Sequence, residues 1–278
     1  MIARTLGKRV ASVYASKMPE YRISKRHLKV KDCDGVPRQF VSNKAYFGFN
    51  VDALGLGNIS KQSSTRDAIA AVFDLEGFTN FCIQIEPHLT VPKYLNVFLQ
   101  WMMETMRTHG TVRAVGEEQA LFYPLSFFVK FLGDGLLVLW DSADMDERAR
   151  QGVLALCRYI CLEYEQNFLP TLKARFVGPP TALRCGAARG TVLSIGDNAD
   201  YVGSCINMAS RLQKLPGVSF CFNLRGYNYE TMTSDSIFAY FEVRKVFIRG
   251  IGENELVCVA KHDLETMSAE DRGFYREV

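Results

Sequence analysis

The spacing of apolar positions changes along the central part of the chain, and each spacing predicts a different element. Residues 68–73 (AIAAVF) form a short apolar run of the kind found in buried strands. Over residues 92–109, apolar side chains recur every three or four positions, which predicts a helix. Two further apolar runs, 127–131 and 136–140, flank a glycine turn and predict a β-hairpin.

The second half of the chain predicts further helices and strands. Residues 144–169 predict another long helix, because acidic residues in its first turn suit the positive end of a helix dipole. Residues 183–187 and 192–195 predict a second hairpin about Gly190. The order strand, helix, hairpin, helix, strand predicts an α+β fold on the ferredoxin-like βαββαβ plan. The extra C-terminal elements are a short helix at 205–215 and strands at 237–247 and 255–260.

The chain divides by pattern into three segments. Residues 1–66 are polar and irregular, and we expect them to form an N-terminal extension that packs on the core. Residues 67–262 carry the periodic elements and form the main domain, and residues 263–278 are a C-terminal tail.

Composition narrows the class of protein. The chain has 278 residues, 48% of them hydrophobic, which is enough for a buried core. A net charge of +3, without a stripe of basic and aromatic residues, argues against nucleic-acid binding. Arg158 and Glu163 interrupt the best candidate for a membrane span, which needs roughly 18 apolar residues. We therefore expect a cytoplasmic protein without a membrane or nucleic-acid partner, and eight reduced cysteines.

Two carboxylates are placed for chemistry rather than packing. Asp74 and Asp134 each follow an apolar, strand-like run and precede a glycine turn, where a side chain can face a ligand. Paired aspartates together with phosphate oxygens suit Mg²⁺ or Mn²⁺, since these cations bind hard oxygen ligands and keep several waters. The pair predicts a site for divalent cations that act on a triphosphate.

Three segments in order resemble the catalytic domain of class III nucleotidyl cyclases, the adenylate and guanylate cyclase family. They are residues 73–79 (FDLEGFT), 130–135 (KFLGDG) and 200–212 (DYVGSCINMASRL). The resemblance spans about residues 67–262 and implies a class III cyclase domain on the βαββαβ plan. It also implies that the chain converts a nucleoside triphosphate to a 3′,5′-cyclic monophosphate and pyrophosphate.

The resemblance assigns roles to the matching residues. Asp74, Asp134 and the backbone carbonyl of Leu75 would hold two Mn²⁺ or Mg²⁺ ions per active site, and Phe78 and Thr79 would contact the substrate.

The remaining roles fall in the second half of the domain. Asn207 would orient the ribose, and Arg211 would stabilise the charge on the reacting phosphate. Arg249 occupies roughly the place of the family's phosphate-binding lysine, and because it is an arginine in a weakly matching segment, an exposed strand residue is an equal alternative.

Lys130 and Asp200 correspond to the residues that select the base. The family's guanylate cyclases carry Glu and Cys there, so this pair disfavours guanine. One donor and one acceptor suit adenine and cytosine, and also uracil if the base shifts slightly. Adenine, cytosine and uracil therefore stay open at this point.

A finer resemblance favours a pyrimidine. Residues 64–74, 87–89 and 130–140, together with the expected lack of a sensor domain, resemble the stand-alone pyrimidine cyclases of bacterial anti-phage signalling. This implies UTP, then CTP, as substrate and a product read by a separate effector protein. The aromatic cluster 46–50 (YFGFN) would pack on the core, close the base pocket, or do both.

The family's active site lies between two domains. Because this chain holds both sets of residues, the resemblance implies a homodimer with two active sites at the interface. Adenylate cyclase is the alternative activity. A catalytically silent nucleotide-binding regulator is a second alternative, although the intact aspartates argue against it. A diguanylate cyclase or polymerase-like palm shares the plan, but the former's Gly-Gly-Asp/Glu-Glu-Phe signature is missing and the latter has no place for the helix of Asn207 and Arg211.

Overall fold

A computed structural model describes residues 29–33, 35–84, 86–197, 200–227 and 237–278. The chain forms two compact units. The first comprises residues up to Ser64 together with Leu193–Val202, and the second comprises Thr65–Val192 and Gly203–Val278. The first 28 residues of the expected N-terminal extension lie outside the described residues.

The first unit is built from short elements. Strands β1 (Lys29–Cys33) and β2 (Val36–Phe40) form an antiparallel hairpin, followed by helix α1 (Asn43–Phe47). Strand β9 (Asp200–Val202) pairs antiparallel with residues 193–195. The backbone N–H of Ser64 donates to Ser194 Oγ at 2.9 Å, which ties the segment before residue 65 to residues 193–202.

The second unit contains the predicted βαββαβ plan. Its strands are β3 (Thr65–Glu76), β6 (Phe128–Phe131), β7 (Gly135–Asp141) and β8 (Ala182–Ile195, to residue 192 in this unit). Its connecting helices are α3 (Pro87–His109), after the short α2 (Phe78–Cys82), and α4 (Glu147–Glu163). The strands lie in the order β8–β3–β7–β6, with β3–β7 and β6–β7 antiparallel. The α+β, ferredoxin-like prediction is confirmed.

Additional elements extend the sheet beyond β8. Strand β10 (Phe220–Asn223) runs parallel to β8, and β12 (Gly252–Ala260) and β11 (Phe241–Ile248) follow as antiparallel neighbours. Other elements are the hairpin β4 (Thr111–Val115) and β5 (Glu118–Leu121), and helices α5 (Leu169–Lys173), α6 (Ser204–Leu212), α7 (Lys261–Thr266) and α8 (Ala269–Arg272). Among the described residues, no helix is long and apolar enough to cross a membrane.

The core explains why β3 reads as a continuous apolar run. All six residues from Ala68 to Phe73 are buried, because this strand is central in the sheet. Helix α3 buries Tyr94, Phe98 and Met102 at intervals of four residues. The hydroxyl of Tyr94 lies 2.9 Å from that of Tyr164, which donates to the carbonyl of Pro180, so both polar groups are satisfied within the core.

The hairpin predicted about Gly190 is wrong, because residues 182–195 form one strand. The strand's glycines serve close packing instead of a turn. A Cβ on Gly186 would lie 2.3 Å from the carbonyl oxygen of Ala209 in α6, and one on Gly190 would lie 3.3 Å from Cys205 Cβ. Glycine in a strand often marks such a close approach. The two glycines therefore let α6 pack against β8.

The helix predicted over 144–169 begins at Glu147, and the helical backbone continues without a break to Lys173. Asp146 is its N-cap and accepts a hydrogen bond from the Ala149 N–H at 2.7 Å. After Glu163 the backbone changes to a π-helical turn, Tyr164–Phe168, before α5.

Candidate active site

The ends of β3 and β7 bring Asp74 and Asp134 to neighbouring positions. The two strands pair up to Asp74 opposite Gly135, and the N–H of Leu75 donates to the carbonyl of Asp134 at 2.9 Å. A Cβ on Gly135 would lie 1.8 Å from the carbonyl oxygen of Phe73, so only glycine permits this pairing. Gly133 has φ +104°, a conformation that favours glycine in the turn before Asp134.

Arg184 on β8 is a residue of this site that the motif comparison missed. Its Nη2 donates to Asp74 Oδ2 at 3.2 Å, and both side chains are mostly buried. Its Nε is also buried and has no hydrogen-bond partner. The available sequence signal was a single arginine in the otherwise apolar stretch 182–188 (ALRCGAA), where a charge needs a partner.

The electrostatics of Asp74 favour a cation. Burial raises the pKa of Asp74, and the neighbouring Asp134 raises it further, while Arg184 and Lys214 act in the opposite direction. The raised pKa means that these cations do not fully offset burial and the second carboxylate. A divalent ion between the two aspartates would supply the missing positive charge.

The oxygen atoms near Asp74 fit Mg²⁺ or Mn²⁺, although the protein would supply only some of the ligands to the ion. In the described ranges, no group of three or more His, Cys, Asp or Glu side chains is placed to hold a metal ion. Asp74, Asp134 and the Leu75 carbonyl are oxygen donors, and such cations commonly complete their shell with water and substrate phosphates. Two carboxylates and a carbonyl can therefore hold such a cation when water and phosphate oxygens complete its shell.

The segment after Asp74 can offer a ligand its backbone groups and one exposed hydroxyl, that of Thr79. Leu75 and Phe78 are buried, and the Phe78 ring packs near Phe81 and Tyr94. Thr79 is exposed in α2, which begins directly after Gly77 at φ +82°. Of the two residues expected to contact substrate, Thr79 thus presents its side chain to solvent and Phe78 presents its side chain to the core.

Helix α6 presents Asn207 and Arg211 on its exposed face, four residues apart, while its other face is buried. Both residues line a cavity of about 290 Å³. The cavity's other lining residues include Arg189, Asn223, Arg225 and Gly250.

The turn between β11 and β12 closes one side of this cavity. Arg211 donates to the carbonyl oxygen of Arg249, and its guanidinium lies beside Gly250, which has φ +75°. The side chain of Arg249 is exposed. The turn therefore holds Arg211 through its backbone and places a second arginine next to it.

The two residues expected to select the base lie in different units. Lys130 is exposed on β6, opposite Leu137 of β7. Asp200 is half-buried on β9, and its Oδ1 accepts from the N–H of Tyr201 at 2.9 Å. Lys130 belongs to the second unit and Asp200 to the first. That both side chains contact one base stays a prediction.

Comparisons with known proteins support the fold. No family model and no curated relative matches the sequence. The structure is similar to the crystal structure of the adenylyl cyclase CyaB from P. aeruginosa, with a TM-score of 0.50 and 16% identity over 76% of this chain and 99% of that one. The guanylyl cyclase Cya2 matches with a TM-score of 0.46 and 18% identity, over 72% of this chain and 94% of that one. The chain thus has the fold of class III cyclase catalytic domains.

Proposed function

We propose that the chain is a metal-dependent nucleotidyl cyclase. Two groups of residues support this proposal: the two aspartates at the end of the β3–β7 pair, and the two polar residues on the exposed face of α6. Asp74 and Asp134 share one end of the β3–β7 pair, and Asn207 and Arg211 share a cavity of about 290 Å³. The two sets provide what cyclisation of a nucleoside triphosphate needs, namely a cation site and a cationic pocket for a phosphate.

The reaction assigns a task to each side chain. The ribose 3′-oxygen forms a bond to the α-phosphorus, and the bond from that phosphorus to the oxygen bridging to the β-phosphate breaks, so that pyrophosphate leaves with the electron pair. The 3′-hydroxyl proton passes to water or a carboxylate. Two bound Mn²⁺ or Mg²⁺ ions would favour the ionised hydroxyl and screen the triphosphate. Asn207 orients the ribose, and Arg211 neutralises charge at the reacting phosphate, where a planar guanidinium offers several donors.

For the base, we propose a pyrimidine, with UTP preferred over CTP. Lys130 and Asp200 offer a donor and an acceptor, which is compatible with either base, and the resemblance to anti-phage pyrimidine cyclases favours them. The cyclic product would then serve as a second messenger read by a separate effector protein. Adenylate cyclase activity is the alternative, because the same donor and acceptor suit adenine.

The test is an assay of the purified chain with Mn²⁺ and each of the four nucleoside triphosphates, with the cyclic product identified by mass spectrometry. We expect cyclic UMP and less cyclic CMP. Arg211→Ala should reduce turnover by about 10²–10³-fold, as for loss of a donor to a transition-state charge. Asp134→Asn should abolish metal-dependent turnover.

Two outcomes would change the assignment. Consumption of ATP alone would replace the pyrimidine with adenine. Binding of a nucleotide without any cyclic product would support a silent regulator instead.

A further inference from the structure

Arg225 lies in a turn whose backbone is fixed by a buried asparagine. The turn follows β10, and the N–H of Arg225 donates to Asn223 Oδ1 at 2.9 Å. Asn223 is buried and also donates from Nδ2 to the carbonyl of Leu256 at 3.2 Å. Gly226 follows with φ +81°. The turn is thus joined to β12 and directs Arg225 to the cavity that Asn207 and Arg211 also line.

A buried carboxylate anchors the Arg225 side chain. Glu255 of β12 is only 5% exposed, and its Oε1 forms an ion pair with Arg225 Nη2. Its Oε2 lies 3.4 Å from Asn223 Nδ2. A buried carboxylate is costly unless it is paired and hydrogen-bonded, so this arrangement requires the arginine. The Arg225 side chain nevertheless stays 67% exposed, which leaves other N–H donors of its guanidinium facing outward.

The other arginines of the cavity are held differently. Arg189 donates from Nε to Ser142 Oγ at 3.1 Å and from Nη1 to the Gly226 carbonyl at 2.7 Å, so its guanidinium supports the same turn. Arg211 is held by the carbonyl of Arg249. Three arginines therefore line a cavity of about 290 Å³. Arg189 Nη2 also lies 3.6 Å from Asp67 Oδ2, but its side chain is only 18% exposed, whereas the side chain of Arg225 is 67% exposed beside its carboxylate partner.

We infer that Arg225 binds the polyphosphate chain of the substrate, with Glu255 as the positioning residue that aims it. This inference rests on the proposed function, because it takes the ligand of the Asn207 and Arg211 cavity to be a nucleoside triphosphate. A cluster of arginines on one small cavity favours a polyanion, since guanidinium groups form paired hydrogen bonds with phosphate oxygens. Arg225 adds a phosphate contact that the three sequence segments of the resemblance do not contain.

The experiment measures binding of inorganic tripolyphosphate to the full chain by calorimetry, with a chelator present to remove divalent metal. Arg225→Ala should weaken binding about tenfold, as expected for one lost charge-assisted hydrogen bond. The matched control is Arg113→Ala, an exposed arginine of the β4–β5 hairpin that does not line the cavity. It should bind tripolyphosphate like wild type. Equal weakening in both variants, or no weakening in Arg225→Ala, would overturn the inference.

A second variant separates binding from folding, because Arg225→Ala leaves Glu255 buried without its partner. The double variant R225Q/E255Q replaces the ion pair with two amides that can bond each other, and it should melt near wild type while binding tripolyphosphate about tenfold more weakly. Wild-type affinity in this variant would contradict the inference. Glu255→Gln alone should raise the KM for the triphosphate more than it lowers kcat, and a pure loss of kcat would contradict a positioning role. If neither the wild type nor any variant makes a cyclic product, the proposed function fails. The tripolyphosphate measurement still decides whether Arg225 binds a polyphosphate.

Discussion

Asp74 couples the chemistry of the site to the stability of the fold. Its pKa is raised chiefly by burial and then by Asp134, so the folded chain binds this proton more tightly than the unfolded chain does. Its contribution to stability is therefore complete at pH values below the ordinary carboxyl range. That contribution is lost as pH rises through the pKa of the folded protein.

The first prediction is that Asp74→Asn raises the melting temperature of the metal-free protein at pH 7. The amide carries no charge to bury and does not repel Asp134. The advantage should shrink as pH falls through the carboxyl range, because Asp74 then becomes neutral in both states. Thermal unfolding between pH 4 and 8 with a chelator measures this. Added Mn²⁺ should stabilise wild type only, and equal stabilisation of the variant would contradict a metal site at Asp74.

The second prediction concerns Arg184, which lowers the pKa of Asp74 through a hydrogen bond and its charge. Arg184→Gln should therefore raise that pKa further, so Asp74 ionises at a higher pH. Cyclase activity should fall, and the acidic limb of the pH–rate profile should move to higher pH. Arg175→Gln, an exposed arginine outside this contact, is the matched control. An unmoved acidic limb would show that Asp74 does not set it.

Sequence alone identified some of the residues in these sites and missed others. Asp74 and Asp134 were identifiable because each follows an apolar run and precedes a glycine turn, and the strand pairing requires Gly135 directly after Asp134. Arg184 and Arg225 were not, because each matters through a carboxylate on another strand, Asp74 and Glu255 respectively. Pairing across a sheet leaves no fixed spacing in the sequence.

At the scale of elements, the close approach of β8 and α6 positions the face of the helix that carries Asn207 and Arg211. The third prediction is that Gly186→Ala destabilises the protein by about 1–3 kcal/mol, the usual cost of overpacking. Its Cβ would meet backbone atoms of Ala209 and Gln213 at 2.3 and 2.4 Å, so α6 must shift and move Asn207 and Arg211 with it. Urea unfolding and cyclase assays measure both effects.

Gly190→Ala is the control within the same strand. Its Cβ would lie 3.3 Å from a side-chain atom of Cys205, a contact that a small adjustment relieves. It should cost less stability and less activity. If both variants behaved alike, close packing at Gly186 would not be what positions α6.

The same strand explains where element prediction succeeded and where it failed. Continuous apolar runs located β3 and β7, which are buried along most of their length, and helical periodicity located α3, whose buried residues recur every four positions. The sequence pattern divided residues 182–195 into two strands. Sequence alone does not distinguish a glycine that packs against a helix from a glycine that forms a turn. The hairpin of β4 and β5 is not predicted by the pattern, since its described side chains are largely exposed and show little alternation.

At the scale of the whole molecule, the proposed active-site residues fall into two sets, Asp74 with Asp134 and Asn207 with Arg211. The cavity lined by Asn207 and Arg211 includes neither Asp74 nor Asp134 among its lining residues. The homodimer that the sequence resemblance implies would bring the two sets together. Asp74 and Asp134 of one protomer would face Asn207 and Arg211 of the other, and a two-fold axis would generate two equivalent sites.

The fourth prediction tests that assembly by complementation. Asp74→Ala and Arg211→Ala chains should each be nearly inactive alone, because every site of either homodimer lacks one residue. After mixing and exchange, each heterodimer holds one site with both residues intact and one with neither. Random pairing at equal concentration makes half of the dimers mixed, so about a quarter of wild-type activity should return. Mixing Asp74→Ala with Asp134→Ala is the control, since both changes fall in the same half-site and no intact site can form. No recovery in the test mixture, despite exchange shown by native mass spectrometry, would place a complete site within one protomer. Recovery in the control would instead show that Asp74 and Asp134 do not serve the same site.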